Sequence, residues 1–326
     1  MAMTQIPQRL PARISERLSA PLIVAPMLRV SGPDLVIATC RAGAIGSFPT
    51  KNARSVEELD AWLTRIDEAA RAADRPFAPH CPNIIMRSPD VQEHAACVNR
   101  HGVELVITSV GSPAPVVQTF HDHGCLVFAD VATVHHARRA VEAGADGLVL
   151  LTAGAGGQTG WLNPFAYVRA VRAFFDGPIV LGGGMIDGHA LWAAQVLGCD
   201  LGYMGTKFIA TAESMAADAY RDLLVDSSMD DVMLTRNFTG LQTNVLRPSI
   251  VAAGIDPAAL DEGMTVARSR EVYGGDAAGG GPRRWTDIKS AGHTVSGVQG
   301  VLPAGEVVEI TRREYEVARY GAPVPA

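Results

Sequence analysis

Long apolar runs are missing from the sequence, and so is any segment that would direct the chain into a membrane. No run approaches the roughly 20 residues that a spanning helix needs. Residues 1–18 are polar and lack the apolar core of a secretory signal peptide. We therefore expect a cytoplasmic protein with no membrane partner.

Cysteine is also scarce. The five cysteines are odd in number, widely spaced and without a CxxC or CxxxC pair, so they indicate neither a disulfide framework nor a zinc site. The histidines show no HxxxH spacing either. We expect a reduced protein without a bound metal.

An excess of positive charge is absent as well. The 326 residues include 28 Lys and Arg against 34 Asp and Glu, which gives a net charge of −6 and a pI of about 5.8. This balance argues against a basic surface for nucleic acid or anionic lipid. With 48% hydrophobic residues, the chain can bury a large core.

What the sequence does contain is a regular alternation of short apolar runs and helical patterns. The apolar runs predict eight strands, at residues 22–25, 44–46, 77–78, 105–108, 126–129, 147–151, 179–181 and 201–204. Helical patterns between them cover residues 33–41, 56–73, 91–100, 114–123, 134–143, 164–174 and 188–197. Eight such repeats predict an α/β fold, a (β/α)8 TIM barrel. The alternative, a Rossmann-like sheet, needs GxGxxG after its first strand, where this chain has Ala25-Pro26-Met27.

The alternation ends after the eighth predicted strand. We expect residues 1–211 to form the barrel, 212–289 to be a cap inserted over its mouth, and 290–326 to return to the barrel with a helix at 301–320. A glycine-rich stretch at 274–282 predicts a flexible loop within the cap.

Two neighbouring predicted strands are each followed by small residues. Gly182, Gly183 and Gly184 follow the seventh strand, and Gly205 and Thr206 follow the eighth. Glycines let backbone N–H groups approach an anion, and the N-terminus of the next helix adds a favourable dipole. In (β/α)8 barrels these two loops are the usual phosphate site. We predict such a site here, although three glycines alone can also form a simple tight turn.

Several short motifs occur in a specific order, although each of them alone is weak. They are Ala25-Pro26-Met27 after the first strand, AGAGGQTG after the sixth, GGGMIDG after the seventh, MGTKFIAT after the eighth and RWTDIKSAGH late in the chain. Together they resemble the nitronate monooxygenase (2-nitropropane dioxygenase-like) flavoproteins over most of the barrel. That superfamily also contains FMN-dependent enoyl-ACP reductases and flavoenzymes that act on CoA thioesters in steroid-ring breakdown.

The resemblance implies an oxidoreductase that binds FMN non-covalently, with the phosphate on the two glycine loops. It places the isoalloxazine ring along Ala25-Pro26-Met27 and a hydrogen bond between Asn83 and the cofactor. Asp130 ends the fifth strand, where some relatives have a lysine that contacts the flavin; here it would bind a ring nitrogen or a ribityl hydroxyl, or else cap the next helix. The implied cofactor-binding residues are Ala25, Pro26, Met27, Asn83, Asp130, Gly182, Gly183, Gly184, Gly205 and Thr206.

One position departs from the family pattern. Nitronate monooxygenases carry a histidine as catalytic base in the sixth loop, and this chain has Gln158 there. Glutamine cannot take a proton near neutral pH, although it can hydrogen-bond a carbonyl or the flavin. Two histidines are candidates for the base: His80, predicted just past the third strand, and His293, in the late motif. For each, the alternative is a loop histidine that only forms hydrogen bonds.

The sequence therefore predicts an FMN-dependent oxidoreductase that resembles the nitronate monooxygenases and acts on a small molecule, a nitronate or an acyl-CoA. The first alternative is oxidation, reduction or hydroxylation of a CoA thioester, with Arg247, Arg283 and Arg284 in the cap either binding CoA phosphates or simply solvated. A phosphate-binding barrel without redox chemistry is the second, and a flavin-binding protein without catalysis is the third. A homodimer, formed through the C-terminal helix, stays open.

Overall fold

Eight parallel strands close into a barrel in the computed structural model, which describes residues 9–274 and 281–321. The strands are β1 (Leu22–Val24), β2 (Ile45–Pro49), β3 (His80–Ile85), β4 (Leu105–Ser109), β5 (Leu126–Val131), β6 (Gly147–Leu151), β7 (Gly157–Gln158), β8 (Ile179–Gly182), β9 (Leu201–Met204), β10 (Val232–Thr235) and β11 (Thr243–Leu246). All of them except β7, β10 and β11 belong to the barrel, which closes where β9 pairs with β1. The predicted TIM barrel is confirmed.

Helices follow the barrel strands and surround them. They are α1 (Ala12–Ser15), α2 (Pro33–Arg41), α3 (Val56–Arg71), α4 (Val91–Arg100), α5 (Ala114–His121), α6 (Val134–Glu142), α7 (Pro164–Arg172), α8 (Gly188–Leu197), α9 (Thr206–Ile209), α10 (Asp218–Val225), α11 (Arg247–Ala252), α12 (Val266–Tyr273) and α13 (Ala304–Tyr320). Asp187 caps α8 by accepting the N–H of Ala190 at 2.8 Å, and Gly198 ends this helix with a φ of 112°. Both signals are readable in the sequence because they are local.

Alternate residues of the strands fill the barrel interior. One buried cluster contains Ile23, Ile45, Cys81, Leu105, Ile107, Phe128, Val149, Val180 and Leu201. Leu10 and Ile14 of the N-terminal segment join this cluster, and Arg17 pairs with Glu104 just before β4. The N-terminal segment, to which the sequence assigns no role, therefore closes the amino-terminal end of the barrel.

The third barrel strand differs from its prediction. The apolar run at 77–78 predicts a strand there, whereas β3 begins at His80 and continues through Pro82 to Ile85. Because proline is untypical inside a strand, the sequence pattern did not indicate β3. Because parallel strands all run from the closed end of the barrel to its mouth, His80 lies at the closed end. The prediction that His80 follows the strand at the mouth is wrong.

A three-stranded antiparallel sheet joins the segment after the barrel to the loop after β6. β10 pairs with β11, and β11 pairs with β7 through Thr243 opposite Gln158 and Asn244 opposite Gly157. A small buried cluster of Phe238, Val245, Ile250 and Ile288 supports this sheet. The division into 1–211, 212–289 and 290–326 stays a prediction, and residues 275–280 of the predicted glycine-rich loop lie outside the described residues.

The C-terminal helix α13 packs closely on α8. A Cβ atom at Gly188 would lie 2.0 Å from the backbone nitrogen of Tyr315, so only glycine permits this approach. The N–H of Gly188 donates to Glu314 at 3.0 Å. Among the helices that the structure describes, none is both long and apolar enough to cross a membrane.

Candidate active site

The loops after β8 and β9 present backbone N–H groups at the mouth of the barrel. Gly183 and Gly184 have φ values of 115° and 80°, which favour glycine. Within residues 9–274 and 281–321, the N–H groups of Gly183, Gly184 and Gly205 donate to no protein acceptor, although Gly183 is buried. Since buried N–H groups are almost always paired, these loops fit an anion.

Thr206 and Lys207 hold the second of these loops in place. Thr206 Oγ1 accepts the N–H of Gly292 at 3.0 Å, and its hydroxyl proton can still be donated to a ligand. Lys207 Nζ donates to the carbonyl of Ile186 at 3.0 Å. The lysine therefore connects the two glycine loops, and the contact predicted between Thr206 and the phosphate stays a prediction.

The segment after β1 forms a wall beside the second loop. The N–H of Ala25 donates to the carbonyl of Met204 at 2.9 Å, and the N–H of Met27 donates to Ser31 Oγ at 3.0 Å. A Cβ at Gly205 would lie 3.5 Å from the side chains of both Ala25 and Met27. Because the proline between them has no N–H, the wall is largely apolar.

Two segments that follow β9 in the chain hold the loop after β6, one at Asn244 and the other at Gly292. A Cβ at Gly156 would lie 2.7 Å from the backbone nitrogen of Gly292, so the two segments pack backbone against backbone. Asn244 Nδ2 donates to the carbonyl of Ala155 at 2.7 Å. Gln158 lies half-buried on β7, in the same small sheet.

The two candidate histidines lie at opposite ends of the barrel. His293 is exposed at the mouth, where its N–H donates to the carbonyl of Gly154 at 3.0 Å. His80 lies at the closed end, where burial lowers its pKa to about 4, although the negative charge of Asp67 acts to raise it. Its Nε2 is buried and has no hydrogen-bond partner in the described part of the chain. The structure thus brings His293, but not His80, toward the glycine loops.

Asp130 points into the barrel at the carboxyl end of β5. Phe128, two residues earlier and on the same face of the strand, belongs to the interior cluster. Burial raises the pKa of Asp130 to about 8, and its Oδ1 is buried without a partner among the described residues. The alternative that Asp130 caps the next helix is wrong, because Thr133 caps α6 by accepting the N–H of His136.

Two inward-facing side chains lie near Asp130 in the barrel. Burial and then the charge of Asp130 raise the pKa of Tyr203 on β9, and burial raises the pKa of Cys81 on β3, so both stay neutral. Asn83, two residues after Cys81, is buried and accepts the hydroxyl of Ser109 at 3.1 Å. Its predicted bond to the flavin stays a prediction.

Sequence reasoning assigned no role to Tyr203, and it marked Trp285 and Ser290 only as parts of the late RWTDIKSAGH motif. Trp285 has a φ of 64°, which is rare for a residue with a side chain, and its ring lies 3.8 Å from where a Cβ at Gly157 would be. Ser290 Oγ is buried and lacks a partner among the residues described. The late RWTDIKSAGH motif marked the segment, but which of its atoms face the mouth depends on how the cap packs.

One group of metal-ligating side chains lies outside the barrel. The ligand atoms of Asp60, Cys97 and His101 lie within 4.8 Å of one another. Both ring nitrogens of His101 already bond to carboxylates, Nδ1 to Asp67 at 2.7 Å and Nε2 to Asp60 at 3.1 Å, and Arg100 pairs with Asp60. These bonds satisfy the cluster without a metal.

Comparison with known proteins identifies relatives of two kinds. The family model of nitronate monooxygenase matches residues 79–315. A 5-hydroxy-7a-methyl-1-oxo-octahydro-1H-indene-4-carboxyl-CoA dehydrogenase of Mycobacterium tuberculosis is 27% identical over 237 residues, which cover 71% of this chain and 64% of that protein. The match thus spans less than two thirds of that relative. A nitronate monooxygenase of Paraburkholderia phytofirmans is 24% identical over 285 residues, 74% of this chain and 77% of that protein.

Solved structures share the fold along nearly the whole chain. A nitroalkane oxidase from Streptomyces ansochromogenes has a TM-score of 0.74 at 23% identity and covers 94% of this chain and 99% of its own. FabK from Thermotoga maritima has a TM-score of 0.72 at 23% identity, with 93% and 95% covered. At this identity the likeness is one of fold.

Proposed function

Because the chain belongs to the nitronate monooxygenase family and is an oxidoreductase, we propose that it holds FMN across the mouth of its barrel and exchanges electrons with a substrate carried as a CoA thioester. The family implies the cofactor, the name of a relative suggests the substrate class, and the geometry of the mouth supports both.

The two glycine loops support FMN as the cofactor. Their N–H groups without protein acceptors fit a phosphate at the N-terminus of a helix, and the apolar wall of Ala25-Pro26-Met27 fits a flat ring. FMN bound there would supply hydride acceptance or donation. The residues of the chain would bind its phosphate, orient the ring and exclude water.

The amide of Gln158, in place of a base, is the observation that favours a thioester substrate. A neutral amide can donate a hydrogen bond to a carbonyl oxygen, but it cannot remove a proton from a neutral nitroalkane. The pairing of β7 with β11 fixes the backbone at this position. The name of the Mycobacterium tuberculosis relative, a carboxyl-CoA dehydrogenase, supports the same substrate class.

The cap offers a positive charge for the CoA phosphates. Arg284 is half-buried, and burial together with the nearby charge of Arg270 lowers its pKa. In the described part of the chain no carboxylate pairs with Arg270 or Arg284, whereas Arg283 pairs with Asp287. Two adjacent guanidinium groups without a counter-charge attract an anion, so Arg284 is the best supported of the three predicted arginines.

Oxidation of a preformed nitronate is the second candidate function. The family match and the Paraburkholderia phytofirmans relative favour it. A nitronate is already deprotonated, so the absence of a base at Gln158 does not obstruct its oxidation.

The test is the absorbance spectrum of the purified protein, recorded anaerobically while NADH, NADPH, butyryl-CoA or propyl-2-nitronate is added in turn. We expect a bound-flavin spectrum that butyryl-CoA bleaches, or that a nicotinamide bleaches and crotonyl-CoA restores. Bleaching by the nitronate alone would replace the first candidate with the second. A protein that takes up no flavin even from excess FMN would contradict both.

A further inference from the structure

Asp130 is a half-buried residue at the mouth, and no contact within the described residues explains why one of its carboxyl oxygens is buried. It does not cap α6, and its Oδ1 has no partner within the described residues. Burial alone accounts for the rise of its pKa to about 8, with no cation among the causes. Burying a carboxyl oxygen without a partner destabilises a fold, so its presence here indicates a function.

Two titratable groups close to Asp130 stay neutral around pH 7. They are Tyr203, which comes from β9, and Cys81, which comes from β3. Burial raises the pKa of each above its ordinary value, and the negative charge of Asp130 adds to this rise. Of these three groups, Asp130 is therefore the one whose pKa lies near neutral pH.

The position at which the family carries its base holds an amide in this chain. Gln158 cannot take a proton, His80 lies at the closed end of the barrel, and His293 is exposed to solvent. We propose that Asp130 is the catalytic acid–base residue, which removes and returns the proton on the carbon next to the thioester carbonyl. This inference rests on the proposed function.

The proposed step is a proton transfer and needs no oxidant. The C–H bond of the α carbon breaks, its electron pair stays on the substrate as the thioester enolate, and the proton goes to an oxygen of Asp130. In the reverse direction the neutral carboxyl returns the proton to carbon. A carboxyl group whose pKa lies near the working pH serves both directions.

The first test titrates Asp130 directly in the flavin-free protein. Carbon-13 NMR of protein labelled at the aspartate carboxyl carbons is recorded from pH 5 to pH 10. We expect one resonance to titrate near pH 8 in the wild type, to vanish in Asp130→Asn, and to remain in Asp218→Asn, which removes an exposed carboxylate of α10. A wild type in which every aspartate titrates below pH 5 would overturn the proposal.

The second test measures the proton transfer itself. The FMN-loaded protein is incubated with butyryl-CoA in D2O, and loss of the α-hydrogen signal is followed by proton NMR. Exchange should rise with pH through about 8 in the wild type and fall by about 100-fold or more in Asp130→Asn, as expected for a lost general base. Exchange that is as fast in Asp130→Asn, or absent from the wild type, would overturn the inference.

Failure of the proposed function has a different signature. A protein that binds no FMN, or whose flavin no acyl-CoA or nicotinamide affects, contradicts the cofactor or the substrate class. The carboxyl titration of the flavin-free protein is unaffected by that outcome, so the ionisation of Asp130 is decided on its own.

Discussion

Gly183 is the residue on which FMN binding should depend most. Its φ is 115°, and a Cβ there would lie 2.4 Å from Thr152 Oγ1, so any side chain must displace the loop. We expect Gly183→Ala to weaken FMN binding at least about tenfold, which corresponds to about 1.4 kcal/mol. Quenching of FMN fluorescence on titration with the flavin-free protein measures this.

Gly102→Ala is the matched control. Gly102 has a φ of 61°, lies before β4 at the closed end, and has no atom within 4 Å of the added Cβ. The Gly102→Ala substitution introduces a similar backbone strain, but it adds no atom near the mouth of the barrel. Equal FMN affinity in the two variants would contradict the assignment of the phosphate to Gly183.

Gln158 offers a test of the missing base. If its side chain occupies the position of the family's histidine, Gln158→His should raise the turnover of neutral nitroethane and introduce an ionisation near pH 6.5, while turnover of the ready-made nitronate changes little. Oxygen consumption with each substrate across pH 5.5–8.5 measures both. Gln118→His on the exposed face of α5 is the control, and an identical response of both variants would sink the idea.

The glycine loops could be predicted from the sequence, but the charge state of Asp130 could not. Glycine φ values and helix caps depend on neighbouring residues, so a local pattern reveals them. The pKa of Asp130 depends on enclosure by strands that are distant in the chain, among them those of Cys81 and Tyr203. No spacing within β5 carries that information.

Between elements, the sheet of β7, β10 and β11 should control the order of the sixth loop. Asn244 is buried and donates to the carbonyl of Ala155, and one such bond contributes about 1 kcal/mol. We expect Asn244→Ala to accelerate amide hydrogen exchange in residues 153–158 and 232–246. The barrel strands should exchange as in the wild type, because their hydrogen bonds are unchanged.

The control for this variant is Asn99→Ala. Asn99 Nδ2 donates to the carbonyl of Thr119 at 3.2 Å between α4 and α5, away from the mouth. It removes one amide–carbonyl bond of the same kind. If Asn99→Ala loosened residues 153–158 as much as Asn244→Ala does, the effect would be general destabilisation and not a property of the cap.

Helices were easier to predict than strands in this chain. The seven helical patterns correspond to α2–α8, since each has an apolar face and a terminus marked by a cap or a glycine. The third strand was predicted too early, because the apolar pair at 77–78 precedes β3 and because Pro82 and Asn83, which are untypical of strands, lie inside it. The strand β7 could not be predicted, because it has only two residues and its partner β11 lies far along the chain.

For the molecule as a whole, two groups whose pKa values are shifted by folding make stability depend on pH in opposite directions. Folding lowers the pKa of His80 to about 4, so the unfolded state binds more protons between about pH 4 and 6.5, and stability rises with pH there. Folding raises the pKa of Asp130 to about 8, so the folded state binds more protons between about pH 4 and 8, and stability falls as pH rises. Above pH 6.5 His80 is neutral in both states, so of these two groups only Asp130 makes the stability depend on pH.

Through Asp130, the free energy of unfolding should fall by about 2 kcal/mol between pH 6.5 and 8, at about 1.4 kcal/mol per pH unit for one proton. Asp130→Asn should remove this fall, and the exposed Asp218→Asn should keep it. Urea unfolding of the flavin-free proteins at several pH values measures the slopes. Parallel slopes for the wild type and Asp130→Asn would disprove the burial argument.

The barrel itself could be predicted because eight repeats leave few other folds. Its closure at the amino-terminal end by Leu10 and Ile14 could not, since a short polar segment with two buried apolar residues has no distinctive pattern. A homodimer stays a prediction.

The pairing of β7 with β11 also sets an order of events during folding. These strands are separated along the chain by two barrel strands and by β10. Contacts between distant segments form late in folding, because closing a long loop costs conformational entropy. A growing chain could thus complete its barrel, with both glycine loops in place, before the sixth loop becomes ordered. Ordering of that loop would then be the last stage of folding, reached after the circular-dichroism signal of the barrel.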